Sequence, residues 1–185
     1  KTNLKNSYIA KRSVFSIDKN TSVKLGDFCK TQKISPYTLF LAALQIYLYR
    51  FTSQSDFSLA SPILNRTGKE KSVMGMFVNM ISFYMHTEPD MTVLELLNTL
   101  SKEVFSCLKN SKYPYMDLLN DLKKFDSSNS YNIVFSFQNM RPKNTIKNLV
   151  KYRIEWDFSG YSYDQLAINV TDLNNDGTYS LEYDY

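Results

Sequence analysis

The stretch from Ser35 to Phe51 restricts the fold more than any other part of this chain. Ser35 followed by Pro36 is a helix start: a hydroxyl to cap the first free amides, then a ring already set at helical φ. Behind it, Leu39, Phe40, Leu41, Ala42, Ala43, Leu44, Ile46 and Leu48 leave almost no polar side. A helix of that kind needs to be buried, and the natural cover is a sheet. The spacing predicts a helix from Pro36 to about Phe51.

Strand-like runs supply the sheet. Residues 8–17 alternate loosely, and residues 56–64 read as a strand with Pro62 near its end. In the next run Phe77, Asn79, Ile81, Phe83 and Met85 share one face, while Val78, Met80, Ser82 and Tyr84 share the other. Both faces are mostly apolar, which predicts an inner strand. Further strands are expected over residues 131–138, 149–158, 165–171 and 178–183, the last two joined by a hairpin at Asp176 and Gly177. Three more helices are expected: residues 20–32, capped by Asn20 or Thr21; a long one after the Thr92 and Glu95 capping box; and a short one over residues 114–122. The mixture predicts an α/β sandwich with a mixed sheet.

Composition removes several classes of function. With 185 residues, 43% of them apolar, the chain can bury one proper core. Its five glycines (Gly26, Gly68, Gly75, Gly160 and Gly177) are too scattered for a GxG turn or a phosphate-cradling loop. A single histidine, His86, excludes His-rich zinc sites, and no nucleophile stands beside it at a motif spacing. Asp172, Asn174, Asp176 and Gly177 fit the first half of a calcium loop, but the closing position falls on Tyr183, so the segment reads as a turn and no metal is expected. No apolar run is long enough to cross a bilayer as a helix, and Cys29 and Cys107 read as reduced thiols of a cytoplasmic protein. Lys1 without a leader suggests a piece of something longer.

Charge is informative by its placement. Lys1 to Lys33 holds eight basic residues against two acids, and residues 155–185 hold seven acids and no Lys or Arg. Between them runs a basic segment with Arg141, Lys143, Lys147, Lys151 and Arg153, beside Tyr152 and Trp156. A net charge of +4 with an acidic end argues against nucleic acid as the partner.

Three stretches together resemble the carboxyl-terminal half of a nonribosomal peptide synthetase condensation domain. Met74, Gly75, Met76, Phe77, Val78, Asn79 and Met80 are similar to that family's GxFVNT strand, departing at Met80. Asn110, Ser111, Lys112, Tyr113, Pro114 and Tyr115 resemble its (H/N)QDxPFE motif, keeping Asn, Pro and an aromatic. Ile133 to Asn139 looks like its strand ending in Gln-Asn, although the RDxSRxP motif before it is eroded to Phe125, Asp126, Ser127, Ser128 and Asn129.

The resemblance implies a chloramphenicol acetyltransferase-like fold: a two-layer sandwich with a mixed, mostly antiparallel sheet and helices on one face. It implies that the chain is one carboxyl-terminal subdomain, whose amino-terminal partner carries a His-His-x-x-x-Asp-Gly motif that this sequence lacks, so that the chain alone is inactive. Amide bonds would form between aminoacyl groups on the phosphopantetheine arms of peptidyl carrier proteins, with the adenylation domain of the same synthetase as a further partner and no covalently bound cofactor here. Asn65, Arg66, Gly75, Asn79 and Asn139 would line the substrate tunnel, with Gly75 allowing close backbone approach, and Arg141, Lys143, Lys147 and Lys151 would dock a carrier protein. A carrier-docking module, or an epimerising or cyclising relative, is the alternative. Without the partner subdomain, Trp156, Tyr161 and Tyr163 should be exposed.

Overall fold

A computed structural model describes residues 8–123, 131–139, 154, 156–172 and 178–185. In chain order the elements are β1 (Arg12–Ile17), α1 (Lys19–Gln32), α2 (Pro36–Thr52), β2 (Asp56–Ile63), β3 (Asn79–His86), α3 (Val93–Lys109), α4 (Tyr115–Lys123), β4 (Ile133–Gln138), β5 (Leu166–Thr171) and β6 (Tyr179–Asp184), with a short 3-10 turn at Gly68–Ser72. The strands hydrogen-bond in the order β1-β6-β5-β4-β2-β3. Pairings β1–β6, β5–β6 and β2–β3 are antiparallel and β2–β4 is parallel, so the sheet is mixed and mostly antiparallel, as expected.

The chain divides into two compact units, Cys29–Phe135 and the two end segments Lys1–Phe28 with Ser136–Tyr185. In the first, Ser35 caps α2 by accepting from the Thr38 amide at 3.0 Å, and Pro36 opens the helix. Leu41, Ala42, Gln45 and Leu48 face inward, and the Tyr37 ring lies 5.3 Å from Phe135 and 6.4 Å from Phe83. Below them Leu59, Ala60 and Ser61 of β2 are fully buried. Gln45 explains how a polar residue sits there: its amide donates to the His86 carbonyl at 2.9 Å and to Thr87 Oγ1 at 2.8 Å, tying α2 to the end of β3. The helix is less enclosed than its composition suggests. Tyr47 and Phe51 are exposed and stack on each other at 5.8 Å.

Two sequence expectations change here. The first helix is capped by Asp18 rather than Asn20 or Thr21: the Thr21 amide donates to Asp18 Oδ1 at 3.0 Å and the Thr21 hydroxyl to Oδ2 at 2.7 Å. A carboxylate is favoured there because free amides and the helix dipole meet at that end. In addition, β3 is an edge strand of the described sheet, not an inner one. Its Ile81, Phe83 and Met85 face is buried, while Val78 and Tyr84 of the other face are exposed, so the apolar character of that second face does not reflect enclosure. The capping box at Thr92 and Glu95 forms as expected, and Leu96, Leu97, Leu100 and Val104 are the buried stripe of α3.

In the other unit, Arg12 of β1 is the polar centre. Its guanidinium donates to both carboxylate oxygens of Asp184, at 2.6 and 2.8 Å, and to the Trp156 carbonyl at 3.0 Å, while Glu182 lies 3.0 Å away. The Phe158 ring stacks beneath it at 4.7 Å. The expected strand over residues 149–158 is not seen in its described part: residues 156–158 are irregular, and 149–153 and 155 lie outside the described residues. Trp156, Tyr161 and Tyr163 are exposed, as expected. No described helix is long and apolar enough to cross a membrane.

Candidate functional site

Ile63 and Asn79 face each other in the β2–β3 register, so everything between them is one excursion from a hairpin. Asn65 opens it in the left-handed region (φ 49°), a conformation that Asn tolerates better than most residues. Thr67 and Glu70 then form a capping box around the short 3-10 turn. Loops of this kind usually leave carbonyls to solvent. Here Arg66 gathers them: Nη1 donates to the carbonyls of Glu70 (3.0 Å) and Val73, and Nη2 to that of Gly75. Its planar face rests on the Phe77 ring at 4.4 Å.

Gly75 has φ 152°, which disfavours any side chain, while an added Cβ would meet only Phe77 Cε2 at 3.5 Å, an ordinary contact. Within this chain the glycine answers to backbone conformation, since no described backbone comes within 4 Å of an added Cβ. On either side of it Met74 and Met76 are 100% and 90% exposed, so the loop is internally ordered yet presents bare apolar side chains.

The loop is tied to the turn between α3 and α4. Asn79 Nδ2 donates to the carbonyls of Ser111 (2.9 Å) and Tyr113 (3.3 Å), bracketing Lys112. Lys112 Nζ reaches the Asn65 carbonyl at 3.2 Å and Glu70 Oε1 and Oε2 at 3.2 and 2.9 Å. Lys112, followed by the Thr67 amide, lowers the Glu70 carboxyl to about 2. Ser111 Oγ and Asn65 Oδ1 add a contact at 3.3 Å.

His86 stands at the opposite end of β3. Seven residue-to-residue steps of extended chain separate it from Asn79, about 23 Å at the usual strand rise. Its Nδ1 lies 2.7 Å from Asp56 Oδ1, and Tyr84 and Ser55 donate to the same carboxylate. Those hydroxyls first, and then the imidazole, lower Asp56 to about 2. The pair is half exposed. A cavity of about 140 Å³ lies near it, lined by Ile46, Tyr49, Arg50, Thr87 and Leu96 among others, and His86 does not line it.

Of the residues expected at the site, Asn65, Arg66, Gly75 and Asn79 come together in one unit. Asn139 follows β4 in the other unit and is exposed. Arg141, Lys143, Lys147 and Lys151 lie outside the described residues, as do Asn174, Asp176, Gly177 and the eroded segment from Phe125 to Asn129. Among the described residues no three His, Cys, Asp or Glu side chains are placed to hold a metal. Glu70 and Lys112 were not anticipated. Thr67-x-x-Glu70 has capping-box spacing, so half of that signal was present in the sequence.

A family model described as Condensation domain matches residues 1–185. The chain belongs to the condensation-domain family. This condensation-domain chain is 28% identical over 184 residues to a plipastatin synthase subunit of Bacillus subtilis (strain 168), covering 98% of the chain and 7% of that protein. It is 29% identical over 161 residues to surfactin synthase subunit 1 of the same strain, covering 85% and 4%. Among solved structures, the condensation domain from the monacolin K polyketide synthase superposes with a TM-score of 0.78 at 19% identity, over 97% of this chain and 42% of that one. That likeness fixes the fold as the chloramphenicol acetyltransferase-like one. The chain thus spans less than half of the solved condensation domain it matches and a small fraction of the synthetases.

Proposed function

We propose that this chain is the carboxyl-terminal half of a condensation domain in a nonribosomal peptide synthetase and that it forms one wall of the reaction channel. The reaction is amide formation: the amine of a carrier-bound acceptor attacks the thioester of a carrier-bound donor. Both substrates arrive on phosphopantetheine arms of carrier proteins, and an adenylation domain loads them, in the cytoplasm. The histidine that positions or deprotonates the amine comes from the amino-terminal half, and this chain alone is inactive.

One observation carries the reading. At the Arg66 loop the side chains of Arg66, Glu70 and Asn79 are engaged in holding the loop, Met74 and Met76 are bare on its rim, and the chain's one imidazole is a strand length away. Such a surface can shape a path, and its held side chains offer no free base to a substrate. By the resemblance, Asn65, Arg66, Gly75, Asn79 and Asn139 belong to that path, and Arg141, Lys143, Lys147 and Lys151 to a carrier-docking surface. Mixing the chain with an amino-terminal condensation subdomain and two aminoacyl-loaded carriers should give a dipeptidyl thioester by mass spectrometry, and the chain alone none. Product from the chain alone, or none from the mixture, contradicts the proposal.

A further inference from the structure

We propose that Lys112 is a positioning residue: its ammonium latches the Arg66 loop to the turn between α3 and α4, through Glu70 and the Asn65 carbonyl. The inference rests on the reading of that loop as a channel wall. Arg66 organises the loop from within, yet nothing in its contacts fixes where the loop stands on the unit. That task falls to the contacts crossing to residues 111–113. Asn79 grips the backbone on both sides of Lys112, so the base of the lysine is anchored to β3, and its tip spans to two separated points of the loop, the start at Asn65 and the 3-10 turn at Glu70. Three parts of the unit meet at one side chain.

The pair is specific to charge. In the motif that residues 110–115 resemble, position 112 is Asp, and a carboxylate there would face Glu70 across the same gap. Glu70 also serves the Thr67 amide at 2.9 Å through the oxygen it offers Lys112. Loss of the latch therefore loosens the turn as well as the loop. Glu70 and Lys112 are partly exposed, so the pair adds little to global stability, and its effect is on the population of displaced loop conformations.

The experiment is limited chymotrypsin digestion of the chain, following cleavage after Met74 and Met76 by mass spectrometry. Glu70→Gln keeps an oxygen for Thr67 and removes the charge. It should raise the cleavage rate about threefold to fivefold, the range open to an exposed ion pair, with an unchanged melting temperature. Lys112→Asp should raise it further, and the exchange Glu70→Lys with Lys112→Glu should return it to within about twofold of the native rate, which a merely structural role for either residue would not do. Raising salt to about 1 M should speed cleavage of the native chain and leave Glu70→Gln unmoved. Unchanged cleavage in both single variants, or failure of the exchange to restore it, overturns the latch. In the reconstituted domain the single variants should raise KM and lower kcat together, and the exchange should recover both. Normal kinetics in a variant with a loosened loop overturn the positioning role. An intact latch in a chain that never supports amide formation would instead remove the functional reading.

Discussion

Replacing Arg12 with alanine should destabilise the chain by about 3 kcal/mol at pH 7, the scale expected when one member of a buried ion pair is removed. The reason lies in what stays behind. Asp184 and Glu182 are each 7% exposed, and Arg12 is the cation that faces both. Without it, two carboxylates remain in a site that hydrates them poorly, with the Asn169 amide 3.4 Å from Asp184 among the described residues. The loss should depend on pH in a definite direction. Burial is the leading cause that raises the Glu182 carboxyl above its usual range, and Arg12 opposes it. A raised folded value means that the ionised form costs stability, a cost relieved as pH falls through that value. Removing Arg12 raises it further, so the variant's deficit should shrink between pH 7 and pH 5. Urea midpoints followed by circular dichroism at the two pH values measure this. An equal deficit at both, or one below about 1 kcal/mol, would contradict the assignment. Arg12→Lys should recover less than half, because one ammonium cannot reproduce the fork on Asp184, the Trp156 carbonyl and the stack on Phe158.

Arg66→Ala should act locally and strongly. Three carbonyls lose their charged donor and Phe77 its cover, so opening of the loop should become easier by about 2 kcal/mol, roughly 30-fold. Leu41, Leu59 and Phe83 do not depend on the loop, so the chain should keep its cooperative unfolding. Hydrogen exchange of the amides in residues 66–77 reads the difference directly. Acceleration confined to the loop is the expected pattern, and exchange that is unchanged, or raised equally in α2, would argue that the loop is held some other way. Arg66→Lys should protect poorly, since a point charge cannot serve three carbonyls and an aromatic face together.

The buried helix was legible because its cap and its composition agree: Ser35 and Pro36 set the start, and Leu41, Ala42 and Leu48 find the sheet. The strands β2 and β3 and the two faces of β3 were legible from alternation, but their pairing and the place of β3 at the sheet edge were not. Alternation reports the two faces of a strand and is silent on which strands lie beside it, and here the second face, with Val78 and Tyr84, is exposed. Likewise, Asp18 displaced Asn20 and Thr21 as the cap because several residues in that run could serve, and only the backbone decides which sits one step before the helix. At the candidate site, the resemblance pointed to the stretch around Gly75, while what its side chains hold was hidden. Arg66 and Asn79 look like groups awaiting a substrate. Their partners are backbone carbonyls, which carry no sequence signature. The same holds for Lys112, whose partner Glu70 lies far away in sequence and close only once the hairpin folds.

On the proposed reading this chain shapes a channel and moves no proton in it. The most direct measurement is the rate of amide formation by the reconstituted domain with His86→Ala against the native chain, both with loaded carriers in excess. The account expects the two rates to agree within about twofold, since the imidazole is bound to Asp56 at the far end of β3 from Asn79. A fall of about 100-fold or more, with folding and carrier binding intact, would show that the chain's own histidine handles the proton, and the claim would not survive it.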